Sequence, residues 1–148
     1  MTEKQASLIS EFLLLTSFLE SNNVQLAFES DYGASELTAF IDQFPKSVFG
    51  INYDIGNSAS LGYSVTEEIN SYADRIINVH LKDRLYNGST VPLGMGNADF
   101  IEAFKLLKAA GYKGNFILQT ARATDNDHVG AMKGYVKLVN SWWMEDGS

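Results

Sequence analysis

Four short apolar runs, each followed by a stretch with helical spacing, constrain the fold of this chain more than any other feature. The runs are VQLAFES (24–30), SVFGINYD (47–54), RIINVHLKD (75–83) and GNFILQTA (114–121). Each is rich in Val, Ile, Leu or Phe and short enough to be a strand. Around them the spacing predicts helices. Residues 4–20 place Leu8, Ile9, Phe12, Leu15 and Leu19 on one face, and Asn22 and Asn23 close the segment. Residues 34–44 read as a helix capped by Ser35 and ended by Pro45. A short helix is expected over 66–73, a longer one over 99–111 from an Asp99 cap to a Gly111 stop, and a last one over 127–143. Residues 56–64 and 84–98 read as loops. A leading helix followed by four β-α units is the pattern of a parallel sheet covered by helices. An open doubly wound sheet and a (β/α)8 barrel both satisfy it.

The strand ends carry the chemistry. In both architectures, functional groups gather at the C-terminal ends of the strands. Here those ends are Glu29, Asp54, His80 and Gln119. Two carboxylates, an imidazole and an amide oxygen make a donor set that Mn²⁺, Mg²⁺, Co²⁺ or Zn²⁺ accepts. A cation so held suits polarising a carbonyl or hydroxyl while a carboxylate moves a proton. Bland roles exist for each residue. A strand-end histidine is often structural, and Asp31 or Asp54 can simply cap the next helix. Lys82, Asp83 and Arg84 can be a solvated turn, and Gly94 and Gly96 can serve loop geometry alone. Four polar strand ends in four consecutive units are harder to attribute to chance. A dinucleotide site is not indicated: ESDYGAS after the first strand is not G-x-G-x-x-G, and GMGNAD (94–99) is a lone G-x-G that follows a loop.

Composition narrows the partners. The 148 residues suit one domain with its own core, and 45% hydrophobic with 20% charged residues argues against disorder. Eighteen acids against 11 Lys and Arg give a net charge of -7, and the basic residues are scattered, so no nucleic-acid partner is expected. Cysteine is absent, which removes disulfides and thiolate metal sites. The apolar N-terminal run is broken by Ser and Thr and flanked by Glu11 and Glu20. It reads as an amphipathic helix rather than a signal or a membrane span. A soluble, cytoplasmic protein without a membrane partner is the expectation.

The segments LAFESD (26–31), GINYDIGNSASLGY (50–63), RIINVHLKDR (75–84), VPLGMGNADF (91–100) and GYKGNFILQTAR (111–122) occur in this order. With them the chain resembles the C-terminal half of sugar phosphate isomerase/epimerase proteins with the xylose-isomerase-like TIM barrel. The resemblance implies a divalent metal at the C-terminal mouth of the barrel. Its ligands in the family are a Glu, an Asp, a His and a second Glu, which fall on Glu29, Asp54, His80 and the position of Gln119. The two glutamates are the acid/base pair of the 3-epimerases. Glu29 can take the first role. Gln119 can offer an oxygen but cannot transfer a proton, so one base is lost and a one-base aldose–ketose isomerisation remains. Lys82 and Arg122 become candidates for the oxyanion or phosphate of a sugar or sugar phosphate, and Asn57, in the D-I-G-N motif, for a substrate contact. A complete barrel takes about 250 residues. The resemblance therefore implies a half-barrel corresponding to strands five to eight, with two open edges and an uncovered inner face. A homodimer that closes it is expected. The rival reading is a non-catalytic half-barrel that keeps the fold without the reaction. The endonuclease IV branch would want a multi-zinc cluster with many histidines, and the chain has only His80 and His128.

Overall fold

The computed structural model describes residues 3–144; residues 1–2 and 145–148, the ends of the expected domain, lie outside the described residues. Strands β1 (Leu26–Phe28), β2 (Phe49–Asp54) and β3 (Ile76–Leu81) come first along the chain. A two-residue pair, β4 (Asp83–Arg84) and β5 (Thr90–Val91), follows, and β6 (Asn115–Leu118) is last. The main sheet runs β1-β2-β3-β6 and is parallel throughout, while β4 and β5 form a separate antiparallel hairpin. The helices are α1 (Glu3–Leu13), α2 (Thr16–Asn22), α3 (Ala34–Ile41), α4 (Ile55–Leu61), α5 (Val65–Tyr72), α6 (Phe100–Ala109) and α7 (His128–Met144). Each parallel strand is thus reached through at least one helix, as parallel crossovers require. None of the described helices is long and apolar enough to cross a membrane.

The two faces of the sheet differ. Phe49, Ile51 and Tyr53 of β2 and Val79 and Leu81 of β3 are buried with Leu37, Ile41, Phe44, Ile69, Tyr72, Phe104 and Leu107 in one core. Phe28, Phe40, Phe44 and Phe49 interlock there with centroids 5.0–6.0 Å apart, the edge-on and offset spacing aromatic rings prefer. The opposite face is set by the pleat. Register places Asn52, Asn78 and Asn115 side by side across β2, β3 and β6, and Asp54, His80 and Ile117 side by side one step further on. Ala27 and Asn115 are exposed on this face, and Ile117 is 46% exposed. A row of amides stands where a barrel interior ordinarily carries branched apolar side chains.

Local structure departs from the sequence reading in four places. The first helix breaks at Leu14–Leu15: Leu15 N donates to Phe12 O in a tighter turn, and Thr16 Oγ1 donates to Leu13 O. Gly33, not Ser35, occupies the N-cap of α3, and no side chain caps it. The expected loop at 56–64 is largely the helix α4, capped by Asp54 Oδ1, which accepts from Asn57 N at 2.8 Å, and closed by Gly62 at φ 77°. The expected loop at 84–98 contains the β4–β5 hairpin and is organised by Asp83. That buried carboxylate accepts from the backbone N–H of Gly94, Gly96 and Ala98 at 2.9, 2.8 and 3.1 Å. A Cβ at Gly96 would overlap its Oδ1, so a glycine is needed there. Asp83 and Gly96 therefore shape the turn. Asp99 caps α6 as the sequence indicates, its Oδ1 accepting from Glu102 N at 3.0 Å.

Candidate active site

Glu29, Asp54 and His80 meet at the C-terminal ends of β1, β2 and β3. Each offers a ligand atom, and these atoms all lie within 4.8 Å of one another. His80 Nδ1 is 3.3 Å from Glu29 Oε2 and 3.7 Å from Asp54 Oδ2. The β2–β3 register pairs Asp54 directly with His80, which explains why residues 26 apart in sequence converge. The side chain of Glu29 is 41% exposed and that of Asp54 only 2%. One carboxylate is thus open to a ligand and the other is built into the floor.

Asp54 divides its two oxygens. Oδ1 caps α4. Oδ2 is buried and makes no hydrogen bond among the described residues; Lys82 Nζ lies 2.9 Å away as a charge contact. A buried carboxylate oxygen that makes no hydrogen bond has lone pairs open to a cation, which would take the place of the Lys82 ammonium beside it. The residues present therefore fit a divalent metal: two carboxylates and an imidazole, one of them with an uncommitted lone pair.

Asn57 ties the site to the basic residues. Its Nδ2 donates to Glu29 Oε1 at 3.1 Å, and its Oδ1 accepts from Arg84 Nη1 at 2.9 Å and Lys82 Nζ at 3.4 Å. Arg84 also donates to Gly88 O and so holds the hairpin turn against the site. Behind the floor, Glu68 is buried and accepts from Tyr53 Oη, Tyr72 Oη and Ser58 Oγ at 2.9–3.0 Å. Burial pushes its carboxyl up, and burial together with the nearby Glu68 charge raises both phenols. This cluster joins β2, α4 and α5 one residue from Asp54.

Five of the seven residues singled out in the sequence are brought together here: Glu29, Asp54, Asn57, His80 and Lys82. Gln119 and Arg122 stand at the neighbouring strand end. Gln119 N donates to Leu81 O at 3.1 Å, which holds the end of β6 beside β3, and both residues line a recess with Thr120, His128 and Met132. The sequence reading missed Asn52 and Asn78. Asn52 Nδ2 donates to Glu29 Oε2 at 2.5 Å and lies 3.1 Å from His80 Nδ1, while Asn78 Nδ2 donates to Asn52 Oδ1 at 2.7 Å. The available signal was a polar residue inside strands that a parallel sheet would otherwise keep apolar.

Residues 3–141 match the family described as the xylose isomerase-like TIM barrel. The chain belongs to that family. Within it, the chain is 30% identical over 94 residues to the L-ribulose-5-phosphate 3-epimerase UlaE of Escherichia coli O1:K1, a match covering 63% of this chain and 33% of that protein. A crystal structure of a xylose isomerase domain protein from Planctomyces limnophilus superposes with a TM-score of 0.83 at 20% identity, over 97% of this chain and 55% of that one. A D-tagatose 3-epimerase-like protein gives 0.66 at 21% identity, over 95% and 55%. At such identities the two solved structures speak for the fold alone. The matched stretch spans about a third or less of the curated relatives' length. The parallel sheet with helices expected from the sequence is thus the sheet of xylose isomerase-like barrels.

Proposed function

We propose that this chain carries the metal half of a sugar isomerase/epimerase site acting on a ketose or ketose phosphate. The observation that carries the reading is the triad of Glu29, Asp54 and His80, whose ligand atoms all lie within 4.8 Å of one another around the buried Asp54 Oδ2. A divalent cation (Mn²⁺, Mg²⁺, Co²⁺ or Zn²⁺) would be held by these three, with Gln119 as the fourth donor. When bound, it would polarise the substrate's carbonyl and hydroxyl oxygens. The remaining work falls to the chain's own groups. Glu29, exposed and oriented by Asn52 and Asn57, takes the proton from the hydroxyl-bearing carbon beside the carbonyl and returns it to the former carbonyl carbon, while the hydroxyl proton passes to the former carbonyl oxygen. Gln119, which cannot ionise, orients a substrate oxygen through its amide. Lys82 balances Asp54 and, with Arg122, faces anionic oxygens of the substrate. One base suffices for aldose–ketose interchange, whereas inversion at one carbon would need a second.

The glutamine at residue 119 also supports the rival reading, a non-catalytic module that binds cation and sugar without turnover. Metal analysis joined to exchange of the carbon-bound proton in D₂O, on a panel of ketose phosphates, separates the two. Exchange that depends on added metal and is lost in Glu29→Gln is the expected outcome. Metal bound with no exchange on any ketose would leave the binding module standing, and no metal bound would remove both.

A further inference from the structure

Asn52 neither ligates the proposed cation nor moves a proton, yet it touches two of the three metal-facing residues. It is 9% exposed, in the middle of β2, where a parallel sheet ordinarily buries Val or Ile. A buried amide costs stability unless its donors and acceptor are all used. Here they are used in a directional way. Asn78, one strand over, donates to Asn52 Oδ1, so the Asn52 carbonyl is committed to β3. Its Nδ2 is then left for the C-terminal strand ends, where it meets Glu29 Oε2 and the His80 ring. The Cα register that pairs Asn52 with Asn78 fixes this orientation from the backbone.

We propose that Asn52, aimed by Asn78, is a positioning residue that sets the placement of Glu29 and His80 for cation binding. This rests on the metal site proposed above. Glu29 lies just past the three-residue strand β1, on backbone with little ladder to hold it, and its carboxylate takes hydrogen bonds from Asn52 and Asn57 beside the His80 ring. The amide therefore supplies a restraint that the short strand lacks. Partners of this kind, one bond removed from a metal, typically change its affinity by about 10- to 100-fold.

Co²⁺ titration of the 148-residue chain, followed by its visible ligand-field absorption, tests this. The parent is expected to bind, and Asn52→Ala to raise the Kd by about 10- to 100-fold with a shift in the absorption bands. Asn78→Ala should move both in the same direction but less, and the double variant should fall no further than Asn52→Ala, since Asn78 acts through Asn52. Asn52→Leu, with the same number of side-chain heavy atoms and the same branching, fills the site if the alanine variant unfolds, and circular dichroism checks each fold. Unchanged Kd and bands in a folded Asn52→Leu, with Co²⁺ still bound by the parent, would overturn the positioning role and leave the metal site intact. No Co²⁺ bound by the parent would overturn both.

Discussion

At the scale of the residue, Asp54 does two separable jobs with two oxygens. Asp54→Asn keeps an oxygen for the Asn57 N–H and removes the charge at Oδ2. It is expected to abolish cation binding and to lower stability by about 1–3 kcal/mol, since the cap is kept but the Lys82 charge contact is lost. Asp54→Ala loses both. Thermal melts beside metal titrations distinguish the cases, and an Asn variant that still bound metal tightly would remove Asp54 from the ligand set. Glu68 makes a different prediction. Its folded carboxyl sits above the ordinary range because it is buried, so ionising it costs the folded state more than the unfolded one. The parent should lose stability relative to Glu68→Gln as pH rises from the unfolded carboxylate value through the raised folded one. The difference should be level on either side of that window. Melting temperatures of the pair across acid to neutral pH measure it, and a difference that grew as pH fell would contradict the sign. Glu29, Asp54 and His80 were legible in the sequence because each closes an apolar run. Asn52 and Asn78 were not, because a run is recognised by its apolar majority. A single amide within it then reads as tolerated rather than placed.

At the scale of the element, α4 is the instructive case. Gly56, Asn57, Ser58 and Ser60 are weak helix formers, so 56–64 reads as a loop. The helix forms through its ends and its packing: Asp54 caps it, Gly62 closes it, and Ile55, Gly56 and Ser60 are buried. Propensity and packing then oppose each other at Gly56. Alanine there gains about 1 kcal/mol of helix propensity, but its Cβ would overlap Lys82 O at the end of β3. The overlap is expected to win, with Gly56→Ala less stable by about 1–3 kcal/mol in denaturant unfolding. A stabilised variant would show that α4 is free to move off the sheet. The α6 cap was read correctly because Asp99 stands alone before a clean apolar period. The first helix was over-extended because the apolar spacing continues through Leu14 and Leu15, where the backbone tightens into a turn that leaves Leu14 82% exposed.

At the scale of the whole molecule, four parallel strands with helices were legible from alternation alone. The choice between an open sheet and a barrel was not, because both place strands and helices in the same order. It took the segments shared with the family to decide. The sheet leaves β1 and β6 as edges and Ile117 exposed on its open face. We propose that a second copy covers this face. The 148-residue chain is then expected to sediment at micromolar concentration at twice its 16.4 kDa, and a strictly monomeric species would count against it. The asparagine row decides what kind of cover can fit. A greasy surface laid on it would dehydrate Asn115 and whatever of Asn78 is not spent on Asn52, with nothing given in return. Amides are donor and acceptor at once, so the same row turned over is self-complementary, and water bridges what it does not meet directly. The seam this sheet is suited to form is therefore wet along its middle, with the cation-facing carboxylates at one rim.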